Sequence, residues 1–87
     1  MDRFDEIRAE ISANDEAIVA AVNRRLALVT ELWELKRRLG LDTVDHDRER
    51  RLREELAAAN KGRLSPAGLD RLVTELLDLT KHELQAG

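Results

Sequence analysis

Arg25 and Lys36 stand eleven residues apart, with Val29 and Leu32 between them at helical spacing. On an α-helix, eleven residues turn through about 1100°, which puts both cations on one face to within about 20° and roughly 16 Å apart. The positions between them are apolar and ought to be covered, and no acid on the same stripe compensates the charge. Cations so placed could hold an anion in a cavity. Long cationic side chains also snorkel out of such positions, and the spacing by itself leaves both readings open.

A second set lies in VDHDRERRLRE, residues 44–54. Asp45, Arg48, Glu49, Leu52 and Leu56 fall at i, i+3, i+4, i+7 and i+11, so one helical face carries the leucines and, at its N-terminal end, the three charged residues. Asp47, Arg50, Arg51, Arg53 and Glu54 point elsewhere and read as solvated surface. A helix N-terminus favours anions through its free N–H groups and its dipole. An inward Arg48 set opposite Arg25 and Lys36 would therefore make an anion-attracting pocket.

Three helices must position these residues. Between Asp2 and Leu39 nothing breaks a helix, and Phe4, Ile7, Ile11, Ile18, Val22, Leu26, Val29, Leu32, Leu35 and Leu39 recur at spacings of three and four. The first helix is expected over about residues 2–39, a length of roughly 55 Å. Gly40 is placed as a left-handed C′ residue in the turn GLDT. The second helix is expected from Asp45, as N-cap, to about residue 60, where Asn60-Lys61-Gly62 ends it. Ser65-Pro66 restarts the chain with a capping serine and a proline at the first helical position, and the third helix is expected over about 65–85. No strand pattern or internal repeat is present. The expectation is one all-α domain, 1–87, with long, short and medium helices.

The chain has 87 residues, so it buries only about 60–65% of its unfolded surface and is marginal alone. It has no cysteine, which removes disulfides and thiolate metal sites as stabilisers and leaves oligomerisation. A first helix whose apolar stripe outruns its intrachain partners predicts a homodimer with two long helices packed together. The net charge of −3 and the near absence of aromatics argue against nucleic acid as a partner. No apolar run approaches a membrane span, and MDRFDEIRAE is too polar for a signal peptide, so a soluble cytoplasmic protein with no membrane partner is expected. Twelve of the 15 basic residues are arginine, which suits bidentate recognition of carboxylates or phosphates.

With these residues in place, the chain resembles the all-helical class of chorismate mutases. The resemblance runs through IRAEISANDEAIVAAVNRRLALVTELWELK, GLDTVDHDRE and the closing LLDLTKHELQ. Arg8, Arg25, Lys36, Asp45, Arg48 and Glu49 occupy the family's polar positions in order. The resemblance implies an intertwined homodimeric helical bundle that converts chorismate, a small dicarboxylate, to prephenate without metal or cofactor. It implies that Arg25 and the partner protomer's Arg8 grip the substrate carboxylates, and that Lys36 donates to the ether oxygen and a carboxylate. Glu49 would accept from the ring hydroxyl, with Asp45 and Arg48 holding that end of the site, and Thr80 would bond the ring carboxylate. The catalytic set would be Lys36, Arg25 and Glu49.

Leu84 departs from the family pattern, which usually has a Gln or Glu donor to the ether oxygen there, so either a shifted last turn lets Gln85 substitute or that donor is absent. Loss of one such donor typically costs about 100- to 1000-fold in rate. Leu84 and a short C-terminus at Gly87, whose last turn is expected to fray, motivate an activating enzyme of the shikimate pathway as a further partner. Asn14 reads as an interface residue fixing dimer register, Trp33 as packing, and His46 and His82 as surface; Lys81, one place past Thr80, could add a cation near the site, with surface exposure the favoured reading. The same cation set would serve an isochorismate pyruvate-lyase or a mutase of 4-amino-4-deoxychorismate. A non-catalytic helical dimer binding another protein is the alternative of a different class.

Overall fold

A computed structural model describes residues 2–85. It contains three α-helices and, among the described residues, no strand: α1 (Arg3–Arg38), α2 (His46–Ala59) and α3 (Pro66–Gln85). The all-α class and the long, short, medium order are as the sequence predicts, with helix ends within a residue or two of the expected positions. The fraying expected of the last turn at Gly87 lies outside the described residues. No helix among them is long and apolar enough to cross a membrane. The chain divides into two compact units, residues 1–32 and 33–87, each with its own character.

The first unit is helical throughout its described length from Arg3. Asp2 starts it by accepting, through Oδ1, the backbone N–H of Asp5 at 2.9 Å, which satisfies one of the orphan donors of the first turn. Arg3 lies 3.4 Å from both Glu6 and Glu10, an exposed pairing of one turn and two turns that contributes little. Its apolar stripe is open: Phe4, Ile7, Ile11 and Ile18 are all exposed. Asn14 is exposed on the same segment.

The second unit begins in the last turns of α1. The helix stops in a Schellman arrangement, with the Gly40 N–H donating to Arg37 O at 3.2 Å and the Leu41 N–H to Lys36 O at 2.8 Å. This geometry needs a left-handed residue at its centre, and Gly40 supplies it with φ +71°. α2 is closed by Asn60, whose backbone N–H returns to Ala57 O and whose Nδ2 donates to Leu64 O at 2.8 Å. α3 opens as the sequence predicts. Ser65 Oγ accepts from the Gly68 N–H at 3.0 Å, and the Ser65 carbonyl accepts from Leu69 N–H at 2.9 Å.

The core of this unit sits on α3. Val73 is 1% exposed and Thr80, two turns on, is 6% exposed. Leu69, Leu76, Leu77 and Leu84 of α3 are half-buried, as are Leu52 and Leu56 of α2 and Trp33 at the end of α1. α2 and α3 pack antiparallel: Arg53 of α2 reaches Asp70 and Thr74 early in α3, whereas Glu49, one turn earlier in α2, reaches Lys81 near the end of α3.

Candidate functional site

The expected site residues fall in both units. Arg8 and Arg25 belong to the first, and Lys36, Asp45, Arg48, Glu49 and Thr80 to the second. In the first unit Arg8 is exposed and its guanidinium carbon lies 4.6 Å from the centroid of the Phe4 ring, a cation–π contact one turn back along the helix. Arg25 is half-buried.

In the second unit, Lys36 is held at the end of α1 and is half-buried. Its Nζ donates to the Thr43 carbonyl at 3.4 Å, which ties the ammonium to the turn leading into α2. Leu41, Asp42, Val44, Asp45, His46 and Asp47 line an open surface hollow together with Lys36. With three aspartates in its wall, this hollow by itself is not the anion pocket that the sequence suggests.

Asp45 caps α2. Its Oδ1 accepts the Arg48 N–H at 3.1 Å and its carbonyl accepts the Glu49 N–H at 3.1 Å. The Arg48 N–H holds the Asp45 carboxyl below the usual carboxylate range. Partial loss of hydration opposes that effect, while the Asp47 N–H and the charges of Lys36 and Arg51 add to it. The sequence places Asp45, Arg48 and Glu49 together on the buried face; the structure separates them. Asp45 and Arg48 are exposed, and Arg48 Nη1 lies 3.5 Å from Glu55 Oε2 on its own helix. Glu49 alone of the three is drawn inward, its side chain 25% exposed.

Arg53, which the sequence reading assigns to the surface, and Lys81, for which it favours the surface over a place near the site, both link α2 to α3. Arg53 donates through Nη1 to Asp70 Oδ1 and through Nη2 to Thr74 Oγ1 at 3.0 Å, so it is an inter-helix clamp and not a solvated residue. Lys81 Nζ lies 3.4 Å from Glu49 Oε1, while His46 Nδ1 lies 3.7 Å from the other oxygen, Oε2. A usable signal was present. Glu49 and Arg53 share a face of α2 at i, i+4, and Asp70, Thr74 and Lys81 share a face of α3 at i, i+4, i+11, with opposite charges facing in antiparallel order.

Thr80 is buried beside this pair in sequence, and its hydroxyl donates to Leu76 O at 2.7 Å, four residues back. Leu84, half-buried, adds an apolar side chain to the same helix. Among the described residues no group of histidine, aspartate and glutamate side chains is arranged to hold a metal ion. The unit therefore offers a half-buried ammonium at the end of α1, a carboxylate fixed between two basic groups on α2, and a buried hydroxyl on α3. Such groups can hold a polar anionic molecule and donate to, or accept from, its oxygens.

The family model described as chorismate mutase type II matches residues 7–85 of the chain. Comparison with curated proteins gives no match. Comparison with solved structures gives none either.

Proposed function

We propose, since the chain belongs to the chorismate mutase type II family, that it converts chorismate to prephenate on the route to phenylalanine and tyrosine. The observation that carries this reading is that the family match, over residues 7–85, takes in Arg8, Arg25, Lys36, Asp45, Arg48, Glu49 and Thr80.

The reaction is a unimolecular [3,3] rearrangement: the ether C–O bond breaks as a new C–C bond forms, and no proton, electron or group is exchanged with the protein. Two tasks remain for the side chains. The first is to hold a flexible dicarboxylate in the compact, chair-like conformer, which cations on both carboxylates accomplish by removing the entropy of the search. Arg25 and the Arg8 side chain of a second protomer take this role. The second is to stabilise negative charge that develops on the ether oxygen. A donor fixed there stabilises the transition state more than the ground state. Lys36 supplies it; its tether to the Thr43 carbonyl restricts the ammonium before substrate arrives. Glu49 accepts from the ring hydroxyl, Asp45 fixes the start of α2, Arg48 closes that end of the site, and Thr80 bonds the ring carboxylate.

The working form is an intertwined homodimer acting in the cytoplasm, with residues 1–87 as one domain of each protomer and no cofactor. Its support is the open stripe of Phe4, Ile7, Ile11 and Ile18, four large apolar side chains along one face of one helix. Such a stripe exceeds the scattered apolar exposure usual on a monomer surface. Leu84, in place of the usual donor, predicts a weak basal rate that an activating shikimate-pathway enzyme raises.

The test is to mix the purified protein with chorismate and follow its loss against prephenate formation. Turnover is expected, and its absence at micromolar enzyme, with a folded dimer confirmed, overturns the reading. Lys36→Ala should lower the catalytic rate by about 100- to 1000-fold while the helical circular dichroism is kept. Near-normal activity in that variant would remove Lys36 from the mechanism.

A further inference from the structure

Glu49 does not present a bare negative charge. Its side chain is 25% exposed, and Lys81, a residue from the far end of α3, stands 3.4 Å from Oε1 with its own side chain 37% exposed. The two are brought together by antiparallel packing that a second contact fixes, Arg53 to Asp70 and Thr74. Among the described residues, the ion-pair neighbour of Oε2 is the largely exposed His46 ring, whose Nδ1 lies 3.7 Å away. One carboxylate oxygen is therefore matched by a lysine, and the other keeps lone pairs for a donor.

We infer that Lys81 is a specificity-determining positioning residue: paired with Glu49, it makes an acceptor of near-zero net charge that selects a ring hydroxyl over a ring ammonium. The inference rests on the proposed role of Glu49 as acceptor from the substrate ring. A hydroxyl donates to a carboxylate oxygen without bringing charge, so Lys81 costs it little and holds the acceptor in place. A protonated amine at the same ring position would gain from the Glu49 charge but would be repelled by the Lys81 ammonium a few ångströms away. At that separation, in a partly screened site, each effect is large enough to change affinity by about tenfold or more. Without Lys81, Glu49 would be an unmatched carboxylate, and the ammonium substrate would be favoured by the same reasoning.

The experiment measures kcat and KM for chorismate and for 4-amino-4-deoxychorismate with the wild-type dimer, Lys81→Met, Lys81→Gln and Lys81→Arg, with folding of each confirmed by circular dichroism. The wild type is expected to prefer the hydroxyl compound. In Lys81→Met and Lys81→Gln the ratio of the two kcat/KM values should shift toward the amino compound by about tenfold or more, carried mainly by KM for the amine. Lys81→Arg should keep the wild-type ratio, because the cation is kept. A lysine that only supports the helix pair would lower both substrates together and leave the ratio unchanged, and that result overturns the inference. An unchanged ratio with chorismate still turned over leaves the mutase reading standing. Wild-type protein that converts neither compound overturns the mutase reading and the inference with it.

Discussion

Ile7, Ile11 and Ile18 of the first unit are 41%, 54% and 54% exposed, whereas Val73 of the second is 1% exposed. Both units are built from α-helix. Their side chains differ in what they meet. In the second unit α2 and α3 cover one another, so a valine and a threonine are buried and lysine, arginine, aspartate and glutamate pair across the two helices. In the first unit the apolar stripe has the same three-and-four spacing but stays open. The second unit is not sealed either: Leu72 is 47% and Leu79 39% exposed. The difference teaches that periodicity makes a stripe but does not supply its cover. A helix of this kind is marginal in water without tertiary packing of its apolar face, which is why a second copy is proposed to cover it.

The largest expected effect is on the first unit. Ile11→Asp puts a carboxylate in the middle of the open stripe and should convert the proposed dimer to monomer in sedimentation equilibrium, with loss of helical signal. A dimer that persists at unchanged affinity would show that the stripe is not the interface. Within the second unit, Val73→Ala removes two buried methyl groups from the best-covered position and should lower unfolding free energy by about 2 kcal/mol in urea denaturation. An unchanged midpoint would mean that α3 is not where this unit's packing energy lies.

The smallest expected effect is at the cap of α2. The folded state lowers the Asp45 carboxyl below its usual range, so the unfolded chain binds that proton more readily. Asp45 therefore contributes stability at pH above the ordinary carboxylate value, and the contribution is lost as pH falls through the lowered folded value. Asp45→Asn keeps a capping side chain but removes the charge. Its melting temperature should lie slightly below wild type at neutral pH and merge with it in acid; a constant gap across pH would assign the effect to cap geometry and not to charge.

The three helices were legible because their signals are local. Gly40, Ser65 and Pro66 act through the backbone of their own turn, and the expected ends follow from them. The candidate site was only partly legible. Positions such as Lys36 and Glu49 could be assigned to helix faces from spacing alone, and both are half-buried. Asp45 and Arg48 share the predicted face with Glu49, yet one is engaged as a cap and the other turns along its own helix to Glu55. Side chains of this length choose among several neighbours, and spacing does not make that choice.

The sequence alone determined the helices, their order and their caps, because hydrogen bonds between residues four apart and capping contacts three apart need no distant partner. It also carried the pattern of charges and leucines that could line a site. Only tertiary structure decided that Arg53 clasps Asp70 and Thr74, and that Lys81 stands 3.4 Å from Glu49. Those contacts join residues 17 to 32 positions apart, as the pairs Arg53–Asp70 and Glu49–Lys81 show. They exist because α2 and α3 pack antiparallel in one register, and a shift of a single turn between the helices would give every one of these charges a different neighbour.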